Sequence, residues 1–201
     1  MLLGAVLLLA ALSLLLWNQR EDREAGISVK KILPQVVAQI EASSENTEEP
    51  VYVEEIEAPQ VYPDPYDPVM TEMEISGYAY IGYLSIPALE LELPVMAEWD
   101  YDRLKIAPCR YAGSTKSDNL VIAAHNYTQH FGPIKNLSIG DLVYFTDMNG
   151  IVSAYEVAEM DVLQPTAVEE MTSGEFALTL FTCTYGGKTR VTVRCERIGE
   201  P

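Results

Sequence analysis

A cysteine, a histidine and an arginine stand in this chain where a metal-free thiol enzyme would need them. Cys183 closes the stretch Thr179-Leu180-Phe181-Thr182-Cys183, His125 closes Val121-Ile122-Ala123-Ala124-His125, and Arg190 opens Arg190-Val191-Thr192-Val193. A thiol at a strand end that opens into Thr184-Tyr185-Gly186-Gly187 is accessible, and a neighbouring cation raises its thiolate fraction and its nucleophilicity. An imidazole at the end of an apolar strand can face a cleft mouth and act as a general acid–base. Arg190 lies near the turn after Cys183, so a hairpin-like return carries its guanidinium towards the thiol, where it can meet an oxyanion. Thr182, immediately before the thiol, is expected to help orient substrate. Only two histidines and three cysteines are present, so few groups compete for these roles.

Each residue also has a plainer reading. A free cysteine is most often a small apolar core residue. Cys195 fits that role better than Cys183, because it shares one face of a strand with Val191 and Val193. Cys109 follows Pro108 in a loop, and its pairing with Cys195 stays open, since an odd count without a spacing rule does not establish a disulfide. Taken alone, His125 is as well explained as a satisfied structural histidine. His130, beside Phe131, is expected at a loop rim. Arg194 lies on the same polar face as Arg190, and either fits an ordinary surface charge. The histidines and cysteines match no zinc spacing, the acids give no calcium site, and no cofactor is expected.

The surrounding elements must hold these groups. From about residue 78 the chain reads as short strands: 80–86 and 89–95 about a turn at Pro87-Ala88, the continuous apolar run 119–124, a hairpin of 142–146 and 151–157 about Met148-Asn149-Gly150, then 176–182 and 189–198. Leu89, Leu91 and Leu93 alternate with Glu90 and Glu92, which predicts one buried face and one wet one. Segments 100–106, 131–137 and 166–171 look helical. Seven or eight short strands with few helices predict a mainly β fold, a closed barrel or a sandwich.

The first 77 residues differ in kind. Residues 1–17 are apolar apart from Ser13 and are followed by the charged run NQREDREAG with no small-x-small cleavage site close by, which predicts a retained transmembrane anchor with its boundary near Trp17 over the rival reading, a cleaved secretory signal peptide. Residues 18–77 read as an acidic, Pro- and Glu-rich stalk, with a short amphipathic helix over 27–40 that Pro34 starts or breaks. Between Lys31 and Arg103 there are sixteen of the chain's 30 acids and no basic residue, so most of the net charge of −17 belongs to that segment. Nucleic acid demands a basic face and is excluded as a partner. Arg20 and Arg23 follow the apolar run and no basic residue precedes it, which by itself argues against an outward-facing domain.

At these residues the chain resembles a known family, the sortases, the Gram-positive membrane-anchored cysteine transpeptidases. The T-L-x-T-C motif is complete at 179–183, the strand-end histidine context is matched at 119–125, and the arginine near the start of the last strand is matched by Arg190. Tyr83-Leu84-Ser85-Ile86-Pro87 and Leu93-Pro94-Val95 resemble the first two barrel strands, and the likeness covers about 78–198. The resemblance implies a closed sortase-like barrel of seven to eight strands over 78–201, a single-pass membrane protein with that domain outside the cell, and catalytic roles for His125, Cys183 and Arg190.

It further implies cleavage of an LPxTG-like sorting signal after Thr through a thioester, then transfer of a surface protein to an amine of a cell-wall precursor or pilin. The short Cys-to-Arg spacing, Ala124 where Gly is frequent, and no apolar C-terminal segment favour a class D-like or unclassified member, with class B as competitor. Tyr62-Pro63-Asp64-Pro65-Tyr66-Asp67-Pro68 resembles the lid of class C members, although a rigid acidic spacer explains it as simply. Two other functions stand beside the transpeptidase: a secreted cysteine peptidase using water, and a non-catalytic surface-binding barrel.

Overall fold

The computed structural model describes residues 2–45, 69–184 and 186–199. The segment compared with a lid, 62–68, lies outside the described residues.

Helix α1 (Leu2–Glu45) is one uninterrupted rod of 44 residues. Its first half exposes leucines all round, up to Leu16 and Trp17, and is long and apolar enough to cross a membrane. Its second half buries Ala25, Val29, Ile32, Val36 and Ile40, a stripe with steps of three and four residues that faces the strands. The helix runs through residue 18 without a break, so residues 18–45, the start of the segment read as a stalk, are helical. Pro34 sits inside α1 on its exposed side and neither starts nor ends it. Proline in a helix interior costs about 3 kcal/mol, and burial of the five-residue stripe offsets that cost at about 1.5–3 kcal/mol per large side chain.

Nine strands follow: β1 (Met73–Ile75), β2 (Tyr78–Ile86), β3 (Leu91–Met96), β4 (Cys109–Ala112), β5 (Leu120–Ala124), β6 (Leu142–Asp147), β7 (Val152–Leu163), β8 (Leu178–Cys183) and β9 (Arg190–Ile198). They pair in the order β1-β2-β3-β4-β5-β8-β9-β7-β6, and β6 returns to β2. That last pairing closes β2–β9 into an eight-stranded barrel, and β1 occupies the part of β2 that β6 leaves open. Closure removes the free edges that a flat sheet would expose. Gly82 permits it at one tight point, where φ is +143° and a Cβ would stand 2.0 Å from the Thr146 carbonyl oxygen of β6. The expected helices are short: 3-10 turns at Arg103–Lys105 and Gly132–Asn136, and α2 (Val168–Met171).

The barrel wall separates two apolar layers. Leu84, Ile122, Leu180, Val193 and Cys195 fill the interior. Tyr80, Met96, Cys109, Val121, Ala123 and Phe181 form the outer layer, which Ile32, Val36 and Ile40 of α1 cover. Cys109 and Cys195 thus lie on opposite sides of the wall, and both are free thiols. Period-two alternation then assigns faces near the strand ends: Val121 and Ala123 put His125 on the outer side, and Phe181 puts Cys183 there too.

Candidate active site

The two central strands of the site run parallel. In β5 and β8 Ala123 is level with Phe181 and Ala124 with Thr182, so the next residues, His125 and Cys183, leave the sheet side by side. Adjacent strands lie about 4.8 Å apart, close enough for the two side chains to meet. Across the antiparallel pair β8–β9, Arg190 is directly level with Cys183. Directly opposed residues on neighbouring strands point to the same face. The fold therefore collects His125, Cys183 and Arg190, far apart in sequence, at one end of the outer face.

Thr182, expected to help orient substrate, lines the cleft that holds Cys183 and is bonded across the strand ends. It is 3% exposed, and its hydroxyl donates to the Ala124 carbonyl at 2.8 Å. That bond ties the end of β8 to the residue before His125. Arg190, by contrast, is turned back on its own hairpin, where Nη1 donates to the carbonyls of Gly187 and Thr189, both at 3.1 Å. Among the described residues no hydrogen bond yet joins the three candidate side chains. Long catalytic contacts are usual in a site without substrate.

Cys183 lines a cleft of about 640 Å³ together with Thr182, Thr184, Val191, Asn126, Tyr127, Lys135 and Asn136. Its far wall is unexpected: Leu15, Asn18, Gln19 and Asp22 of α1. His125 is half-buried and lies behind Tyr127, its ring centroid 4.9 Å from that of the tyrosine. Burial pulls its imidazole below the ordinary value, the Glu21 carboxylate opposes that shift and Lys105 adds to it. Burial and the nearby Glu21 push the Tyr127 phenol up to about 12, so it stays a neutral donor across the working range.

His130 overturns the loop-rim expectation. It is fully buried, its ring 5.6 Å from that of Tyr127. Neither ring nitrogen has a partner in hydrogen-bond geometry, although the Ile106 carbonyl lies close enough to favour the cation. Burial dominates and holds its pKa down at about 4. The loop between the two histidines is short and closed on itself, with Phe131 N–H donating to the His125 carbonyl and Gly132 N–H to the Tyr127 carbonyl.

Arg194, the second of the three arginines of β9, is not a surface charge. It is 9% exposed, paired with Asp161 at 3.5 Å and Glu159 at 3.7 Å, and lies over the Phe176 ring. It is level with Thr179, four residues or about 13 Å along β8 from the thiol. Among the described residues no group of three or more His, Cys, Asp or Glu side chains is arranged to hold a metal. Sequence reasoning missed Tyr127 and Asp22 as shapers of the cleft. Tyr127 was visible only as the second neighbour of His125, and Asp22 only as part of the charged run after Trp17.

A family model described as the sortase domain matches residues 84–198, from the end of β2 to the end of β9. Among solved structures, the chain is similar to sortase C1 of Streptococcus suis, with 29% identity over 61% of this chain and 74% of that one and a TM-score of 0.53. Sortase C of Streptococcus pneumoniae is 22% identical over 86% of this chain and 96% of its own, with a TM-score of 0.56. Sortase C-1 of Actinomyces oris is 23% identical over 82% and 99%, also with a TM-score of 0.56. These structures carry the class C name, whereas the short Cys-to-Arg spacing suggested a class D-like member; likeness at this identity carries the fold and not the class. Comparison with curated proteins gives no match. With its barrel matched from β2 to β9, the chain belongs to the sortase family.

Proposed function

We propose that this protein is a single-pass membrane transpeptidase, its barrel outside the cell, that uses Cys183 as nucleophile, His125 as acid–base and Arg190 as oxyanion partner. The observation that carries the reading is the strand register, which levels Cys183 with Arg190 and sets His125 beside it on one face. The substrate is a surface protein with an LPxTG-like sorting signal. Cys183 Sγ passes its proton to His125 and attacks the carbonyl after Thr, and the oxyanion is met by Arg190 and a backbone N–H. The tetrahedral adduct collapses, the C–N bond breaks, and His125 returns the proton to the departing Gly amine. A thioester remains on Cys183.

An amine of a cell-wall precursor or pilin then attacks the thioester, His125 takes its proton, and the new amide leaves as Cys183 recovers its hydrogen. One amide replaces another through a thioester that keeps the acyl group activated, so the exchange needs no nucleotide. Arg190 must leave the Gly187 and Thr189 carbonyls to reach the oxyanion, and bonds to those neutral acceptors are weaker than the pairing with an anion that replaces them. Thr182 acts by aligning the two strand ends.

Incubating the full-length protein in detergent with a sorting-signal peptide, with and without an amine acceptor, tests the proposal. Ligation that depends on Cys183 supports it. Cleavage to the free acid alone identifies a peptidase, and binding without cleavage identifies an inactive surface barrel.

A further inference from the structure

Helix α1 does more than lead up to the barrel. Asp22 Oδ1 accepts from the Thr128 backbone N–H and Oδ2 from the Thr128 hydroxyl, both at 2.6 Å. Charge-assisted bonds to both oxygens of one carboxylate fix the donor residue in position and direction. Thr128 lies three residues after His125, within the loop whose ends are joined by the Phe131 N–H to His125 carbonyl bond. One residue earlier, the Tyr127 ring packs against His125 at a tilt of 41° while its hydroxyl faces Glu21, the neighbour of Asp22 on α1. Glu21 and Asp22 are half-buried, whereas Arg23 and Glu24, next along the same helix, are exposed.

On the other side of the same stretch, Leu15, Asn18, Gln19 and Asp22 wall the cleft that holds Cys183. The helix that carries the apolar anchor is therefore also in contact with the loop that carries the acid–base. Among the described residues, the other hydrogen bonds of Tyr127 and Thr128 stay within the loop itself or involve α1.

We propose that Asp22 is a positioning residue of the active site: by clamping Thr128 it holds the 125–132 loop, and with it the His125 ring, in register with Cys183. The inference rests on His125 being the acid–base of the proposed reaction. Its physical basis is that misplacing a proton-transfer group by about 1 Å can cost up to 10²-fold in rate, while binding of the substrate elsewhere in the cleft is preserved.

Two histidines in the whole chain make the test direct, since a 13C label on the imidazole Cε1 gives only two resonances. The full-length protein in detergent is compared with Asp22→Ala and Asp22→Asn, the His125 signal being assigned with a His130→Phe variant. Asp22→Ala should lower kcat for peptide acylation about tenfold or more with KM changed less than about threefold, and should move the His125 resonance. Asp22→Asn keeps one carbonyl acceptor for the Thr128 N–H and should recover most of kcat.

The inference is overturned if Asp22→Ala leaves both kcat and the His125 resonance unchanged. It is also overturned if kcat falls only in step with the fraction unfolded, or if Asn is as damaging as Ala, which would make the effect one of charge. A parent protein that neither cleaves nor ligates peptide sinks the functional reading instead. In that case the His125 resonance and the rate of Cys183 alkylation by iodoacetamide still decide whether Asp22 positions the loop.

Discussion

The β8–β9 hairpin carries the same pair of features at its two ends, an arginine level with a small polar residue, and treats them in opposite ways. At one end Arg194, level with Thr179, is buried between two carboxylates and an aromatic ring. At the other, Arg190, level with Cys183, is half-buried and, among the described residues, donates to two neutral carbonyls of its own turn. An arginine already neutralised by carboxylates has little field left for a developing oxyanion, and moving it would strand buried charge. The free end is the one suited to chemistry, and the locked end holds the hairpin in place.

The sharpest way to break this comparison is to remove the thiol. Cys183→Ala should abolish both cleavage and ligation in a peptide assay, with thermal stability near that of the parent, because a strand-end methyl keeps the half-buried site filled. A thioester trapped on the variant would move the nucleophile to another cysteine. Cys109 and Cys195 are poor substitutes, since burial pushes both thiols up to about 12.

Next in size is Arg190→Lys. Lysine keeps the charge and loses the planar fork, so kcat should fall about 10²-fold with little change in KM if the guanidinium meets the oxyanion. Loss confined to KM would instead assign Arg190 to substrate binding.

The end that holds Cys183 and His125 should also be the acid-sensitive one, through His130. The unfolded histidine titrates near 6.5 and the buried one near 4, so between those values the unfolded state binds more protons and stability falls as pH falls. The full effect is on the order of 3 kcal/mol. Chemical denaturation in detergent at pH 7 and pH 4.5 should show that loss in the parent and much less of it in His130→Phe. Equal pH dependence in both would mean that His130 is solvated in the folded state.

What was legible in the sequence follows from how local each determinant is. Strands with a strict alternation or a long apolar run, such as β3 and β5, announced themselves, and so did the tight turn between β6 and β7 at Asn149-Gly150, where Gly150 has φ of +79°. Strands β1 and β4 did not. Met73–Ile75 and Cys109–Ala112 are three and four residues long, too short for a period, and exist because β2 and β5 offer them an open side. Cys183, His125 and Arg190 could be picked out by type and by strand-end position, but their convergence depends on the β5–β8 register, which nothing local specifies. The burial of His130 and Arg194 was hidden for a related reason, since both are enclosed by elements distant in sequence. Most obscure was α1 beyond residue 18: its acids read as a solvated stalk, and only the barrel supplies the apolar surface that makes Ala25, Val29, Ile32, Val36 and Ile40 a buried stripe.

The smallest expected effect lies at the locked end, and it is the one that sharpens the contrast most. Arg194→Lys retains a cation between Glu159 and Asp161 but gives up the bond from Nη2 to the Glu170 carbonyl and the guanidinium's position 5.3 Å over the Phe176 ring centroid. Both carboxylates are more than a third exposed, so solvent screens much of the pairing and the loss should be about 1 kcal/mol of stability. Turnover should stay within about threefold of the parent, because no catalytic group is nearer than about 13 Å along the strand. The measurement is a pair of chemical denaturation curves beside a peptide turnover assay. A tenfold loss of kcat in Arg194→Lys, with Arg190→Lys tolerated, would exchange the roles of the two ends and place the oxyanion at the level of Thr179.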